Sequence, residues 1–282
     1  MKKFILITLL TAFSTALLSA QPYKLKQVWT SKEALKVPES VLYDSERDIY
    51  YISNINGNPQ EKNNQGFITK MKPGGEIENM EWVTGLNAPK GMGIFGNKLY
   101  ASDIDRVAEI DINSGKISRF YDVAGAKFLN DITVDAKGMV YISDSDEKNS
   151  VVYRLADGKI EKWLQDAQIV SPNGVYAEKD SLMVGSFGNN GLYAVSYDNK
   201  KIEKIADVGM GIDGLVPDGK GNYFVSDWQG RVALVTAKGK VTILSDTRES
   251  KVNVADIDYV ISQKILLFPT FFDNRIVAYK VE

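Results

Sequence analysis

The chain has 282 residues, 44% of them hydrophobic, and a formal net charge of −2, so nothing indicates a nucleic-acid or anionic-membrane partner. It contains no cysteine and no histidine, which excludes disulfides, thiolate and imidazole metal ligands, and a Ser-His-Asp mechanism. Any catalysis must therefore rely on carboxylates, amides, lysine, tyrosine, hydroxyls or a hard metal ion.

The first twenty residues are typical of a secretory signal peptide. Two lysines follow Met1, an apolar run covers residues 4–18, and Ser19 and Ala20 end the segment. The run is too short and too rich in Thr and Ser for a good membrane span, and an uncleaved anchor is the alternative. We expect cleavage after Ala20 and a periplasmic or secreted protein with no membrane contact after cleavage.

Residues 22–30 alternate apolar and polar side chains and predict a β-strand. After it, a polar pair followed by a short apolar strand recurs six times, at intervals of 51, 40, 43, 40 and 43 residues. The pairs are Glu39-Ser40, Lys90-Gly91, Asn130-Asp131, Asn173-Gly174, Asp213-Gly214 and Asp256-Ile257. A second series of serine-containing segments, such as Ser226-Asp227, ends the next strand of each repeat. Repeats of about 40 to 50 residues with several strands each indicate propeller blades.

We therefore predict an all-β fold, a six-bladed β-propeller that covers residues 21–282. Only three strands, at 256–261, 264–270 and 274–281, remain for the last blade. We expect the strand at 22–30 to supply the fourth, which closes the ring and leaves no open sheet edge. Pro269 falls within one of these strands and predicts a bulge or irregular pairing there.

The first blade is predicted to have strands at 41–43, 48–53, 67–71 and 80–83. The polar stretch 54–65 between its second and third strands is longer than the matching connections elsewhere. Long loops are often lids or binding loops, so 54–65 is a candidate lid, with a plain connection as the alternative. No segment after the signal peptide predicts an amphipathic helix.

Blade geometry places the start of every inner strand at the mouth of the central channel. The first residues of the pairs are therefore expected to converge there: Glu39, Lys90, Asn130, Asn173, Asp213 and Asp256. Three carboxylates and two amides form an oxygen-rich site that suits hard cations such as Ca²⁺. Asn-Gly and Asp-Gly are also common in turns, but these pairs start strands and the hairpin tips form a separate series.

Several of these segments resemble a known family. Residues 38–44, Leu129-Asn130-Asp131, residues 171–174 and Asp213-Gly214 look like motifs of the senescence marker protein/gluconolactonase/luciferin-regenerating-enzyme family of six-bladed propellers. The motifs occur in the right order and at blade spacing over essentially the whole mature chain.

The resemblance implies one divalent metal ion at the channel mouth, held by Glu39, Asn173 and Asp213. It also implies that Asn130 contacts the site through water or substrate and that Asp213 acts as general base. Characterised members hydrolyse sugar lactones and related esters, so the implied partner is a small lactone or ester. All-oxygen ligation favours Ca²⁺, with Zn²⁺, Mn²⁺ and Mg²⁺ as alternatives.

One position departs from the family pattern. The sugar lactonases of the family carry a substrate-binding arginine two residues before the third-blade asparagine, where this chain has Phe128. Lys90 either offers the substrate a compensating positive charge or forms a salt bridge with a ligand carboxylate, and we favour the salt bridge.

Four aromatic residues follow the second strands of their blades: Phe187, Trp228, Phe271 and Phe272. They predict an apolar or stacking rim, with Trp228 as a substrate contact and interblade packing as the alternative.

The leading hypothesis is a secreted, metal-dependent hydrolase of lactones or related esters. The alternative is a non-catalytic propeller in which the metal joins the blades and a ligand or protein partner binds.

Overall fold

The computed structural model describes residues 23–282, which form six four-stranded antiparallel sheets arranged as propeller blades. The signal peptide predicted at 1–20 lies outside the described residues and stays a prediction. The six-bladed, all-β prediction is confirmed.

The strands follow one another in blade order, except for the first. The chain starts with β1 (Leu25–Thr30). Blade one has β2 (Pro38–Asp44), β3 (Ile49–Asn54), β4 (Gly66–Met71) and β5 (Ile77–Leu86). Blade two has β6 (Pro89–Phe95), β7 (Lys98–Asp103), β8 (Arg106–Asp111) and β9 (Lys116–Asp122). Blade three has β10 (Leu129–Val134), β11 (Val140–Asp144), β12 (Val151–Ala156) and β13 (Lys159–Leu164).

The second half repeats the pattern. Blade four has β14 (Pro172–Ala177), β15 (Ser181–Ser186), β16 (Gly191–Ser196) and β17 (Ile202–Asp207). Blade five has β18 (Leu215–Pro217), β19 (Tyr223–Asp227), β20 (Arg231–Val235) and β21 (Val241–Asp246). Blade six has β22 (Asp258–Val260), β23 (Ile265–Pro269) and β24 (Ile276–Val281), and β1 completes it.

Ring closure occurs as predicted. β1 pairs antiparallel with β24, from Leu25 opposite Val281 to Thr30 opposite Val277. Lys24 and Glu282 extend the pairing with reciprocal backbone hydrogen bonds of 3.0 Å each. The last blade therefore has no missing strand, and the two ends of the described chain hold each other.

The apolar core lies between the blades. Both faces of a blade are covered by its neighbours, so β3, β11, β19 and β23 are buried along their whole length. Outer strands such as β9 face solvent and are mostly exposed. Within residues 23–282, one apolar cluster fills each of the six interfaces between neighbouring blades. This packing holds the inner strands at fixed positions around the channel.

The predicted bulge at Pro269 is wrong, because Pro269 pairs with Ile276 in regular register at the end of β23. The missing N–H of Pro269 leaves no unmade hydrogen bond between β23 and β22, because their pairing already ends at Leu267 opposite Asp258.

Within residues 23–282 the one helical element is a 3-10 turn at Phe271–Asp273, and no helix there has the length and apolarity to cross a membrane.

Candidate functional site

The polar pairs of blades one to four lie at irregularities of the inner strands. The register between the inner and second strands shifts at Pro38/Ser40, Pro89/Met92, Leu129/Ile132 and Pro172/Val175. In blade five the pair comes directly before β18. Bulges re-aim side chains and are frequent beside functional sites. These irregularities explain why a polar residue of each pair faces the channel, although the residues next to it in the strand pack between blades.

The serines of the second sequence series hold the inner strands in this shape. Ser143 Oγ accepts a hydrogen bond from the Asp131 N–H at 2.9 Å, and Ser226 Oγ accepts one from the Gly214 N–H at 2.7 Å. Both serines are fully buried. Ser53 makes the same contact in blade one. The serine series therefore positions the site without lining it.

Two acidic residues of the serine series, which follow Ser102 and Ser143, fix the loops that lead into the inner strands. Asp144 accepts hydrogen bonds from the backbone N–H groups of Lys127 (3.0 Å) and Phe128 (2.9 Å). Asp103 does the same for the loop before Lys90. Phe128 is thus held in place by its backbone, whatever its side chain.

Five of the six residues predicted at the channel mouth line one cavity of about 340 Å³. They are Glu39, Lys90, Asn130, Asn173 and Asp213, and all five are buried. Trp228, predicted as a substrate contact, lies on the wall of the same cavity. The candidate metal ligands and the candidate substrate contacts therefore share one space.

Asp256 does not join them, and its predicted place is wrong. It lines a second cavity of about 710 Å³, where it pairs with Ser40, the second residue of the first pair. The pair of blade six is Ala255-Asp256, since Ile257 packs in the core as Leu215 does in blade five. Aligning the repeats on the apolar residue after each pair would have shown this one-residue shift.

Burial and mutual repulsion dominate the electrostatics of the acids. Burial raises the pKa of Glu39 well above its usual range, Asp213 and Asp256 raise it further, and Lys90 opposes them. Burial also raises the pKa of Asp213 to about 7, against a hydrogen bond from Asn173 that lowers it. Asp213 can therefore hold a proton near neutral pH when no cation is bound, and the pKa of Glu39 is shifted in the same direction.

Three oxygen atoms at this cavity are buried without a hydrogen-bond partner. They are Glu39 Oε2, Asn130 Oδ1 and Asn173 Oδ1. The Asn173 Nδ2 donates to Asp213 Oδ1 at 2.7 Å, which joins two more blades at the same point. Buried polar atoms are rarely left unpaired. We therefore expect these three oxygens to contact a ligand that is positively charged or donates hydrogen bonds.

The donor set fits a hard divalent cation. Only two of its members are carboxylates, and within residues 23–282 no cluster of three or more Asp, Glu, His or Cys is arranged to hold a metal ion. Mixed carboxylate and amide oxygens are ligands that Ca²⁺ accepts. Glu39, Asn173 and Asp213 could hold such an ion, with Asn130 beside it.

Lys90 does not form the direct salt bridge that we favoured. Its Nζ donates to the Pro59 carbonyl at 3.1 Å and the Ala88 carbonyl at 3.3 Å, and it lies 4.5 Å from the ring centre of Phe128. Burial lowers the pKa of Lys90 to about 8, while Glu39 and Asp103 act against this. The lysine therefore holds the 54–65 loop above the cavity.

The outer wall of the cavity is apolar. It is formed by Ile55, Pro59, Phe128, Phe187, Trp228, Phe271 and Phe272. Trp228 packs edge-on against Phe271, with ring centres 5.6 Å apart, and Phe272 is 62% exposed. The predicted aromatic rim is present, and Phe271 also packs into an apolar cluster with Ala255. Ile55 and Pro59 were missed, because only the length of their loop marked it in the sequence.

The comparison with family models decides the family. Residues 37–253, well over half of the chain, match the model described as SMP-30/Gluconolactonase/LRE-like region. The chain belongs to this family. A sequence comparison with curated proteins finds no match.

Several solved structures share this fold. A gluconolactonase from Xanthomonas campestris is 14% identical, with a TM-score of 0.72 over 92% of this chain and 90% of that chain. A catalytically inactive histidine variant of virginiamycin B lyase from Staphylococcus aureus, with quinupristin, is 12% identical, with a TM-score of 0.64 over 93% and 100%. A chain of a nidogen/laminin complex is 17% identical, with a TM-score of 0.59 over 72% and 76%. These likenesses concern the fold, and function has to be argued from the site.

Proposed function

We propose that this SMP-30/gluconolactonase/LRE-like protein is a divalent-metal-dependent hydrolase of lactones or related esters. The observation that supports this most is the set of three unpartnered buried oxygens beside Asp213 in one open cavity. Glu39, Asn173 and Asp213 would hold the ion, and Ca²⁺ suits an all-oxygen set best. Bound there, a divalent cation supplies a Lewis acid that polarises an ester carbonyl and stabilises negative charge on its oxygen.

Asp213 is proposed as the general base. Its carboxylate lines the same cavity as Asn130 and Trp228, the candidate substrate contacts, so it lies where an attacking water would be activated. The hydrogen bond from Asn173 fixes the orientation of its carboxylate. Asn130, whose side-chain oxygen is free, is proposed to orient the substrate.

The apolar wall supports a substrate with an apolar acyl or aryl group. Phe128 stands where sugar lactonases of the family have arginine, and Lys90 uses its Nζ on two protein carbonyls. Trp228 and Phe272 offer ring faces and edges at the mouth of the cavity. Such a wall favours an alkyl or aromatic group over the hydroxyl-rich chain of a sugar acid.

The second candidate is a non-catalytic propeller that binds a ligand or protein through the same wall. The exposed ring of Phe272 favours it, because exposed aromatic residues are frequent at binding surfaces.

Hydrolysis assays separate the two candidates. We expect turnover of lactones or esters with alkyl or aryl groups, loss of turnover in chelator, and recovery with Ca²⁺. Asp213→Ala should abolish activity and weaken metal binding, whereas Lys238→Ala, on an exposed turn, should change neither. Full activity in Asp213→Ala would refute the mechanism, and binding of the same esters without turnover would support the second candidate.

A further inference from the structure

The proposed hydrolysis needs two proton transfers, and Asp213 accounts for one of them. As general base it removes a proton from the attacking water. The alcohol oxygen that leaves the ester or lactone needs a proton as well, because a free alkoxide is a poor leaving group in neutral water. A side chain that supplies this second proton has to line the same cavity as Asp213.

Lys90 is the cationic side chain of the cavity wall. Among the described residues that line the cavity of about 340 Å³, it is the one lysine, and there is no arginine. The remaining polar side chains, apart from the carboxyls of Glu39 and Asp213, are amides, an indole and the hydroxyl of Ser145, none of which gives up a proton readily near neutral pH. Ser145 Oγ already donates to the Pro172 carbonyl at 2.8 Å.

The contacts of Lys90 leave one of its protons available. An ammonium group has three N–H donors. Within residues 23–282, the Nζ of Lys90 gives hydrogen bonds to two carbonyls, that of Pro59 at 3.1 Å and that of Ala88 at 3.3 Å. The side chain is only 1% exposed, so bulk water has little access to it. The third N–H can therefore donate to an oxygen of a bound substrate.

Lys90 and Asp213 occupy opposite sides of the ring. Lys90 lies at the start of blade two and Asp213 at the start of blade five, which are three blades apart in a ring of six. A carbonyl carbon held between them can receive water from the side of Asp213 and release its alcohol oxygen on the side of Lys90. A base and an acid on different sides of the reacting carbon are what general acid–base catalysis requires.

Building on the hydrolase function proposed above, we propose that Lys90 is the general acid that protonates the leaving alcohol. Asp213 takes a proton from water, and the water oxygen bonds to the carbonyl carbon while an electron pair moves onto the carbonyl oxygen. When that pair returns, the bond from carbon to the alcohol oxygen breaks, and this oxygen takes a proton from Lys90 Nζ. Asp213 then returns one proton to Lys90 through solvent, so water is the one other reactant. The alternative is that Asp213 itself passes its proton to the leaving oxygen.

Two esters that differ only in their leaving group test this role. Methyl phenylacetate releases an alkoxide that needs a proton, whereas 4-nitrophenyl phenylacetate releases a phenoxide that does not. With Ca²⁺ present, we expect Lys90→Met to lower kcat for the methyl ester about 10²- to 10⁴-fold, the usual contribution of a general acid, and kcat for the nitrophenyl ester less than about tenfold. Lys238→Met, on an exposed turn, is the matched control and should change neither.

Lys90→Arg separates proton donation from the hold on the 54–65 loop. A guanidinium keeps N–H donors for the two carbonyls but does not give up a proton near neutral pH. We expect amide hydrogen exchange across 56–65 to stay close to that of the wild type, while activity on the methyl ester stays as low as in Lys90→Met.

The outcomes distinguish this role from the proposed function. If the wild type hydrolyses neither these esters nor lactones, the proposed function fails and the role of Lys90 fails with it. If the wild type hydrolyses both esters and Lys90→Met slows them equally, only the role of Lys90 is refuted, and Asp213 passes on its own proton. Wild-type activity of Lys90→Arg on the methyl ester would refute the role too. If Lys90→Met does not fold, Lys90→Gln takes its place with the same expected results.

Discussion

Glu39 illustrates how a buried carboxylate can be unfavourable for folding and still serve a site. Its side chain is enclosed, one oxygen has no partner, and two other acids lie close enough to raise its pKa. Without a bound cation this arrangement opposes folding, and the proposed metal ion would reverse its effect. The same atoms would then destabilise one state and stabilise the other.

Glu39→Gln should separate these two effects. In chelator, the neutral amide removes the cost of either burying the charge of Glu39 or protonating it, and we expect the melting temperature to rise by about 2–4 °C, which is about 1 kcal/mol for a protein of this size. With Ca²⁺ added, the variant should gain less stability than the wild type. Thermal melts in both conditions measure this, with Glu61→Gln in the exposed loop as control. A lower melting temperature in chelator would contradict the prediction.

Phe128 is the residue that we expect to set substrate preference. Phe128→Arg removes an apolar wall and places a second cation beside Lys90, whose Nζ lies 4.5 Å from the present ring centre. We expect kcat/KM for apolar esters to fall about 10- to 200-fold, the range for a change of 1–3 kcal/mol in a binding pocket. Activity on acidic sugar lactones should rise. Phe128→Leu keeps the wall apolar and should retain most activity, and equal losses in both variants would contradict this role.

At the scale of elements, two contacts of different character hold the middle of the 54–65 loop. Its Pro59 carbonyl accepts a hydrogen bond from the buried Lys90, while Lys62 forms an exposed ion pair with Asp105. Exposed ion pairs contribute little, whereas a buried charged donor contributes more. The buried contact should therefore control how the loop covers the cavity.

Lys90→Met tests this control. The side chain stays unbranched and is one atom shorter, and it loses both hydrogen bonds, so we expect faster amide hydrogen exchange across 56–65 and little change in the blades. Lys62→Met removes the exposed pair and should change exchange much less. Equal effects of the two variants would show that the Lys90 contact does not hold the loop.

The inner strands show what a sequence can and cannot reveal about such elements. The repeat period was readable because six equivalent strands need the same polar-to-apolar transition, and it placed Glu39, Asn130, Asn173 and Asp213 together. The spacing of the polar pairs could not identify which residue of blade six faces the channel mouth. That position is Ala255, which gives no polar signal. Contacts between distant segments, such as Lys90 with Pro59, depend on loop conformation that no local pattern specifies.

At the scale of the whole molecule, the buried acids make stability depend on pH, and the proposed metal ion would change that dependence. The folded-state pKa of Asp213 is about 7, above the ordinary value of about 3.9, so the metal-free folded chain binds more protons than the unfolded chain. Stability from this group is fully present below about pH 4 and is lost as pH rises toward about 7. Glu39, Asp131 and Asp256 are shifted in the same direction.

Thermal melts across pH measure this linkage. In chelator we expect the melting temperature to fall as pH rises from about 5 to about 7.5, and the fall should shrink with Ca²⁺. Asp213→Asn should also reduce it. Asp246→Asn is the control, because Arg248 lowers the pKa of Asp246 to about 2 and this exposed group does not titrate in that window. A melting temperature that rises with pH in chelator would contradict the assignment.

The pairing of β1 with β24 also has a consequence for how the protein is made. A ribosome synthesises Thr30 first and reaches Ile276 only 246 residues later, which takes roughly 12–50 s at about 5–20 residues per second. Until then, five blades stand as an open arc whose two end faces, later covered by blade six through the clusters around Leu35 and Phe224, are exposed to water. The interval before the last strand emerges is therefore when the nascent chain most needs protection from association with other chains.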